Sequence, residues 1–160
     1  MDMLSFEKVT PKHPKWGLFL DMVIDYIVES WPEVLSHKTM DEFKNEYQKE
    51  LVLKQQEGGR AFFLVSLNNK DIGIINVFFT KEGDKTAISV AEFGVKPEER
   101  KKGYGRSMKE LLETWGKSHK VTKISIEVDK DKLFANKFWS SFEDLSLDGS
   151  CERNLYSKEF

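Results

Sequence analysis

Apolar positions early in the chain recur at helical spacing. From Trp16 they fall at Phe19, Val23, Tyr26 and Ile27, while Asp21, Asp25 and Glu29 lie on another face. Proline drives the residue before it away from helical angles, so Trp31-Pro32 should close this helix. A second helix is expected from about Thr39 to about Gln56. Thr39 is its N-cap, Glu42 three residues on makes a capping box, and Gly58-Gly59 stops it. Ahead of both, Leu4 to Val9 has the length of a short strand, closed by the punctuation at Pro11 and Pro14.

The pattern then becomes extended. Ala61 to Leu67 is apolar and aromatic, Asn68-Asn69-Lys70-Asp71 is turn-like, and Ile72 to Phe79 is apolar again. This predicts a β-hairpin whose loop is longer than the tightest type. Lys81-Glu82-Gly83-Asp84 marks another turn, and Ala87 to Val95 makes a third strand of the meander. A glycine-containing basic loop follows, then a helix with Met108, Leu111, Leu112 and Trp115 at i, i+3, i+4 and i+7. Gly116 and Lys117 suit its end. Lys123 to Val128 alternates as a strand, Lys132 to Ser141 has the pattern of a short helix, and Leu155 to Phe160 is a candidate last strand. A strand-helix-strand crossover after a meander requires one parallel pair in a mainly antiparallel sheet. The expected fold class is therefore α+β, a mixed sheet flanked by helices.

Composition narrows the function classes. The 160 residues suit one domain, 1–160, with a real core, and 39% hydrophobic against 32% charged residues is ordinary for a soluble globular chain. A net charge of -2 argues against nucleic-acid binding, so any anion site has to come from local clustering. Cys151 is the only cysteine, which excludes an internal disulfide and paired-cysteine metal sites. With no motif around it, it is expected to be a small buried residue. His13, His37 and His119 lack ligand spacing, so no metal is expected. The first residues lack a signal-peptide layout, and the apolar run Ala61 to Val65 is far short of the ~20 residues that cross a bilayer. The expectation is a cytoplasmic protein without a membrane partner.

The most informative stretch runs from Val95 to Ser107. It leaves an apolar strand and opens a helix, where unpaired N–H groups and a partial positive charge favour phosphate. Gly103 and Gly105 let backbone approach a ligand and adopt angles closed to other residues. Arg100, Lys101, Lys102 and Arg106 outweigh Glu98 and Glu99. These residue types suit a diphosphate. The loop lacks the Gly-Lys-Ser/Thr ending of a P-loop and the acidic partner of a dinucleotide fold. A generic anion site remains an alternative on this evidence.

Arg100-Lys101-Lys102-Gly103-Tyr104-Gly105 resembles the Arg/Gln-x-x-Gly-x-Gly/Ala signature of the GCN5-related N-acetyltransferases (GNAT). Ala91-Glu92-Phe93-Gly94-Val95 is similar to that family's fourth strand, Ile124 to Val128 to its fifth, and Ala135-Asn136-Lys137-Phe138-Trp139 to the helix after it. The resemblance covers roughly residues 60 to 145 and implies the acyl-CoA N-acyltransferase fold. It also implies acetyl-CoA as co-substrate and a primary amine as acceptor.

Carried over residue by residue, the resemblance implies that Arg100, Lys101, Lys102, Gly103, Tyr104 and Gly105 hold the coenzyme A pyrophosphate, with Arg106 nearby. Main-chain groups of Phe93, Gly94 and Val95 would pair with the pantetheine arm. Gly94 is either a bulge or room for the thioester, and the latter is preferred. Glu92 stands where many members keep the general base. Trp139 falls at the position of the family's tyrosine acid. An indole N–H donates hydrogen bonds but is no working acid, so either Trp139 only shapes the acyl pocket, or water or another group protonates the sulfur, or the activity is lost. A non-catalytic acyl-CoA-binding module is the competing reading. The stripe Asp21, Asp25, Glu29 is taken as a solvated face, and Trp16, Trp31 and Trp115 as core or cleft-wall aromatics. A homodimer is common in the family, although no residue here argues for it.

Overall fold

The computed structural model describes residues 4–160. Its strands are β1 (Leu4–Val9), β2 (Arg60–Leu67), β3 (Lys70–Glu82), β4 (Lys85–Val95), β5 (Val121–Asp129), β6 (Ser146–Asp148) and β7 (Arg153–Glu159). The helices are α1 (Trp16–Ser30), α2 (Met40–Gln56), α3 (Tyr104–Ser118) and α4 (Leu133–Ser140), with short 3-10 turns at Pro32–Leu35 and Pro97–Glu99. Hydrogen-bonded neighbours follow the order β1-β2-β3-β4-β5-β7-β6. The pair β4–β5 is parallel, as the crossover through α3 demands, while β1–β2, β5–β7 and β6–β7 are antiparallel. The chain divides into two compact units. One holds the described chain up to Val77 with Glu92–Leu111; the other holds Phe78–Ala91 with Leu112–Phe160.

In the first unit the predicted helical stripe makes the core. Phe19, Leu20, Val23, Ile24 and Ile27 of α1 are buried together with Val9, Phe62, Leu64 and Ile74 from the strands. Trp16, Phe19 and Phe62 have ring centroids 5.4 to 5.6 Å apart. Burying one such side chain is worth roughly 1.5–3 kcal/mol, so these three rings anchor the unit. Trp31, at φ -135°, ψ 71°, ends α1 before Pro32. Helix α2 needs its cap more, because Leu51 is its only buried residue. Thr39 Oγ1 accepts from the Glu42 N–H at 3.1 Å. At the other end Gly58 takes φ +79° and the Gly59 N–H donates to Lys54 O at 3.2 Å.

One expectation about this unit is corrected. The β2–β3 loop is the tightest kind, two residues, with Asn68 at φ 49° and Asn69 at φ 69°. Two left-handed residues match the twist of a hairpin, and asparagine tolerates that conformation better than other side chains.

In the second unit the parallel ladder runs from Thr86↔Val121 to Val90↔Ile126 and ends there. β5 pairs with β7 from Lys123↔Glu159 to Asp129↔Arg153. Buried Tyr156 donates through its hydroxyl to Asn136 Oδ1 at 2.8 Å, and Asn154 Nδ2 donates to the same oxygen at 2.9 Å. That fastens α4 to β7. Lys158 binds Glu113 of α3 at 2.9 Å and Asp144 at 2.7 Å, and both hydrogen bonds hold its ammonium above the usual lysine range. The last strand begins at Arg153, earlier than expected, and the short β6 was not anticipated because its three exposed residues carry no apolar pattern. Cys151 is exposed, against the expectation of burial, since it lies in the turn between β6 and β7.

Candidate active site

Alternation along β4 puts Glu92 and Gly94 on one face of the strand. Glu92 receives the Tyr47 hydroxyl of α2 on Oε1 at 2.8 Å and the Asn76 amide of β3 on Oε2. Asn76 is wholly buried, and its Oδ1 accepts from Arg60 Nη1 of β2 at 3.3 Å. Two elements, α2 and β3, thus bond the β4 carboxylate, and a third, β2, braces Asn76. Glu92 keeps part of its surface accessible, yet desolvation is the largest influence on it and pushes its pKa up. The bonds from Tyr47 and Asn76, then Arg60 and Lys54, pull it back down. Burial and the Glu92 charge push the Tyr47 phenol well above its usual value, so it stays a neutral donor.

Tyr26 of α1 covers Gly94. A Cβ on Gly94 would lie 2.7 Å from Tyr26 Cδ2. The space that the glycine frees is therefore filled by a ring, which corrects the preference for room for a thioester at that spot. Burial, then Glu92, push the Tyr26 hydroxyl up to about 12, while hydrogen bonds with the Ser30 side chain and the Phe93 main chain draw it down. Gly73 makes the other close approach. A Cβ there would meet Gly94 O at 2.8 Å and the Met108 side chain of α3 at 3.2 Å, so β3 and β4 lie close under that helix.

Beyond Gly94 a cleft of about 370 Å³ is lined by Met22, Asp25, Tyr26, Glu29, Gly94, Arg100 and their neighbours. Glu92 is not part of this lining; it sits two residues before Gly94 on the same strand. The acidic stripe is exposed, as expected, and two of its members are ion-paired. Asp21 pairs with Lys44, and Glu29 pairs with Arg100 at 2.5 and 3.1 Å. Arg100 Nε also donates to Val95 O at 2.8 Å.

The basic loop has a defined shape. Lys101 takes φ +64° and Gly103 φ +85°. The Ser107 N–H reaches Gly103 O at 3.4 Å, which makes Gly103 the N-cap of α3. First-turn N–H groups have no acceptor inside a helix, and a glycine N-cap has no side chain to offer one. Gly105 and Tyr104 belong to that first turn, so Gly105 is helical rather than a second special backbone position. Glu99, expected only to subtract charge, is buried at 8% exposure. It binds Lys70 at 3.1 Å and Lys102 at 3.2 Å, and these bonds hold its carboxyl below the usual range. Arg100 and Lys102 are thus already paired with carboxylates, and all four cations of the loop, Arg100, Lys101, Lys102 and Arg106, are exposed.

Trp139 is 5% exposed and packs against Phe138 and Phe142, with centroids 4.8 and 6.0 Å away. Among the described residues no cluster of His, Cys, Asp and Glu could hold a metal, and no helix is long and apolar enough to cross a membrane. Sequence reasoning missed Tyr47, Asn76, Arg60 and Tyr26. Asn76 left a signal, a lone amide inside the apolar run from Ile72 to Val77; the other three left none.

Residues 20–142 match the model of the acetyltransferase (GNAT) family. Among solved structures, the PaiA N-acetyltransferase of Thermoplasma acidophilum in complex with coenzyme A superposes with a TM-score of 0.72. It is 13% identical, with 99% of each chain covered. RimL, a ribosomal L7/L12 alpha-N-protein acetyltransferase in complex with coenzyme A, gives 0.67 at 14% identity over 98% of this chain and 94% of that one. An aminoglycoside acetyltransferase from an uncultured soil metagenomic sample, in complex with sisomicin, gives 0.65 at 17% identity over 88% and 87%. At such identities the likeness establishes the fold. No curated protein sequence gave a match. Because the family model spans residues 20–142 of the 160, the chain belongs to the GNAT family of acetyltransferases.

Proposed function

We propose that this acyltransferase moves an acetyl group from acetyl-CoA to a primary amine, with Glu92 as general base and residues 1–160 working as one domain. The observation that carries this is the Glu92 carboxylate, held on both oxygens while burial raises its affinity for a proton. A primary amine has a pKa near 10 and is mostly protonated at neutral pH, so it must lose a proton before it can attack. Glu92 accepts that proton, directly or through one water. The amine nitrogen then bonds to the thioester carbonyl carbon, the C–S bond breaks, and the second nitrogen proton passes to the departing thiolate directly or through water, giving the amide and free thiol.

Two features support a coenzyme A-borne donor. Gly103 and the first turn of α3 offer backbone N–H groups to a pyrophosphate, with Lys101 and Arg106 as nearby cations. Beyond the ladder that ends at Val90, the main chain of Phe93–Val95 would pair with the pantetheine amides in exchange for its bonds to the Tyr26 hydroxyl and Arg100 Nε. PaiA and RimL are both complexes with coenzyme A, which favours the same donor here. RimL is named for a protein N-terminus and the metagenomic enzyme binds sisomicin, so this fold serves very different acceptors. Trp139 favours a second reading, a non-catalytic acyl-CoA-binding module, because no acid stands where the family keeps its tyrosine. A thiol pKa near 8.5 makes the thiolate a tolerable leaving group without one.

Glu92→Gln tests the base. With acetyl-CoA and a panel of amines, thiol release at neutral pH should fall about 10²- to 10⁴-fold, while calorimetry still records coenzyme A binding. Undiminished turnover would remove Glu92 from the reaction. A wild type that binds coenzyme A yet acetylates no amine would favour the binding module, and one that does not bind it would end the acetyltransferase reading.

A further inference from the structure

We infer that Tyr47 and Asn76, with Arg60 braced against Asn76, are positioning residues that set the orientation and the proton affinity of Glu92. The inference builds on the reading of Glu92 as base and goes beyond it.

The geometry is specific. Each Glu92 oxygen has one donor, and the donors come from different elements, α2 and β3. A carboxylate gripped at both ends cannot rotate about its last bond, so its remaining lone pairs keep a fixed direction. Asn76 can donate to Glu92 only with its amide turned one way. Arg60 enforces that choice, because a guanidinium has donors alone and must face the amide oxygen, at 3.3 Å. A wholly buried amide within the apolar residues Ile74, Ile75 and Val77 costs free energy unless it is paired at both ends. Here both ends are.

The charged and titratable groups that act on Glu92 come from every side. Tyr26 approaches from α1, Tyr47 and Lys54 from α2, and Arg60 from β2, while Glu50 acts on Tyr47. Burial favours the protonated acid. The two hydrogen bonds and the two cations favour the carboxylate. Removing a member of the second set leaves burial less opposed, so Glu92 should hold its proton to higher pH.

Tyr47 and Arg60 are half-buried, and Tyr47→Phe and Arg60→Met keep most of the volume. The experiment follows the Glu92 carboxyl by ¹³C NMR in wild type and both variants, assigned by its loss in Glu92→Gln, beside pH profiles of kcat/KM. Tyr47→Phe should raise the Glu92 midpoint by about one pH unit, a tenfold change in proton affinity, and Arg60→Met should move it the same way by less. The acid limb of the rate profile should follow. A midpoint unmoved in both variants overturns the inference, whatever the activity. A midpoint that moves while the acid limb stays put supports the positioning role and instead removes Glu92 as the base, so the two failures are distinguishable.

Discussion

The contact between Tyr26 and Gly94 can be turned into a measured energy. An alanine at residue 94 would place its Cβ 2.7 Å from Tyr26 Cδ2, 3.2 Å from Cε2 and 3.3 Å from Cγ. Ordinary carbon contacts begin near 3.5 Å, so the nearest atom has to retreat by nearly 1 Å. The ring has little room to do so. Its hydroxyl is tied to Ser30 and to the Phe93 main chain, and its edge meets Trp31 at 6.3 Å between centroids. Overpacking of this kind costs about 1–3 kcal/mol. Gly94 is not in the left-handed region, so the lower chain entropy of alanine returns about 0.5–1 kcal/mol. Gly94→Ala should therefore lose up to about 2.5 kcal/mol in urea unfolding, seen as a lower midpoint at unchanged slope. In a Tyr26→Ala background the same substitution should be neutral or mildly stabilising, a coupling of about 1–3 kcal/mol in the double-mutant cycle. Additive effects would refute the reasoning, because the ring would then not be what fills the space beside Gly94.

Two further outcomes follow from the same structure. Thr39→Ala removes the acceptor for the Glu42 N–H and should cost about 1 kcal/mol in the same assay, since α2 buries little else to hold its first turn. Glu99 has a depressed pKa when folded, so its contribution is complete above the unfolded value near 4.3 and is lost as pH falls through the folded one. Glu99→Gln should flatten the stability curve below about pH 4.5, read as urea midpoints across the acid range. A variant that keeps the wild-type acid slope would show that Lys70 and Lys102 do not act through Glu99.

Local signals were legible in the chain, and long-range ones mostly were not. The extents of α1 and β1, the Thr39 cap and the parallel strand after α3 follow from periodicity, proline and capping chemistry, which act over a few residues. The basic loop was recognisable because its glycine and cations are contiguous. What those cations do was not, because their partners are remote: Glu29 sits on α1, and Glu99 is a surface-type residue that folding buries. Tyr47 looked like one more residue on a weakly amphipathic helix until α2 was laid against β4. Asn76 could have been singled out, since a lone amide in an apolar strand demands a partner.

The pairing of Glu29 with Arg100 means that the proposed phosphate site carries its own counter-ion. An incoming anion does not meet a bare guanidinium; it has to exchange with a carboxylate already bound through two nitrogens. The gain is then a difference between two charge-assisted pairs rather than the whole of one. Weak monoanions such as chloride or acetate offer Arg100 nothing better than Glu29 does. On the proposed reading, a multiply charged phosphate ester held at the same time by the α3 amides would outcompete it. Selectivity among anions would thus come from an exchange reaction already half written into the folded chain.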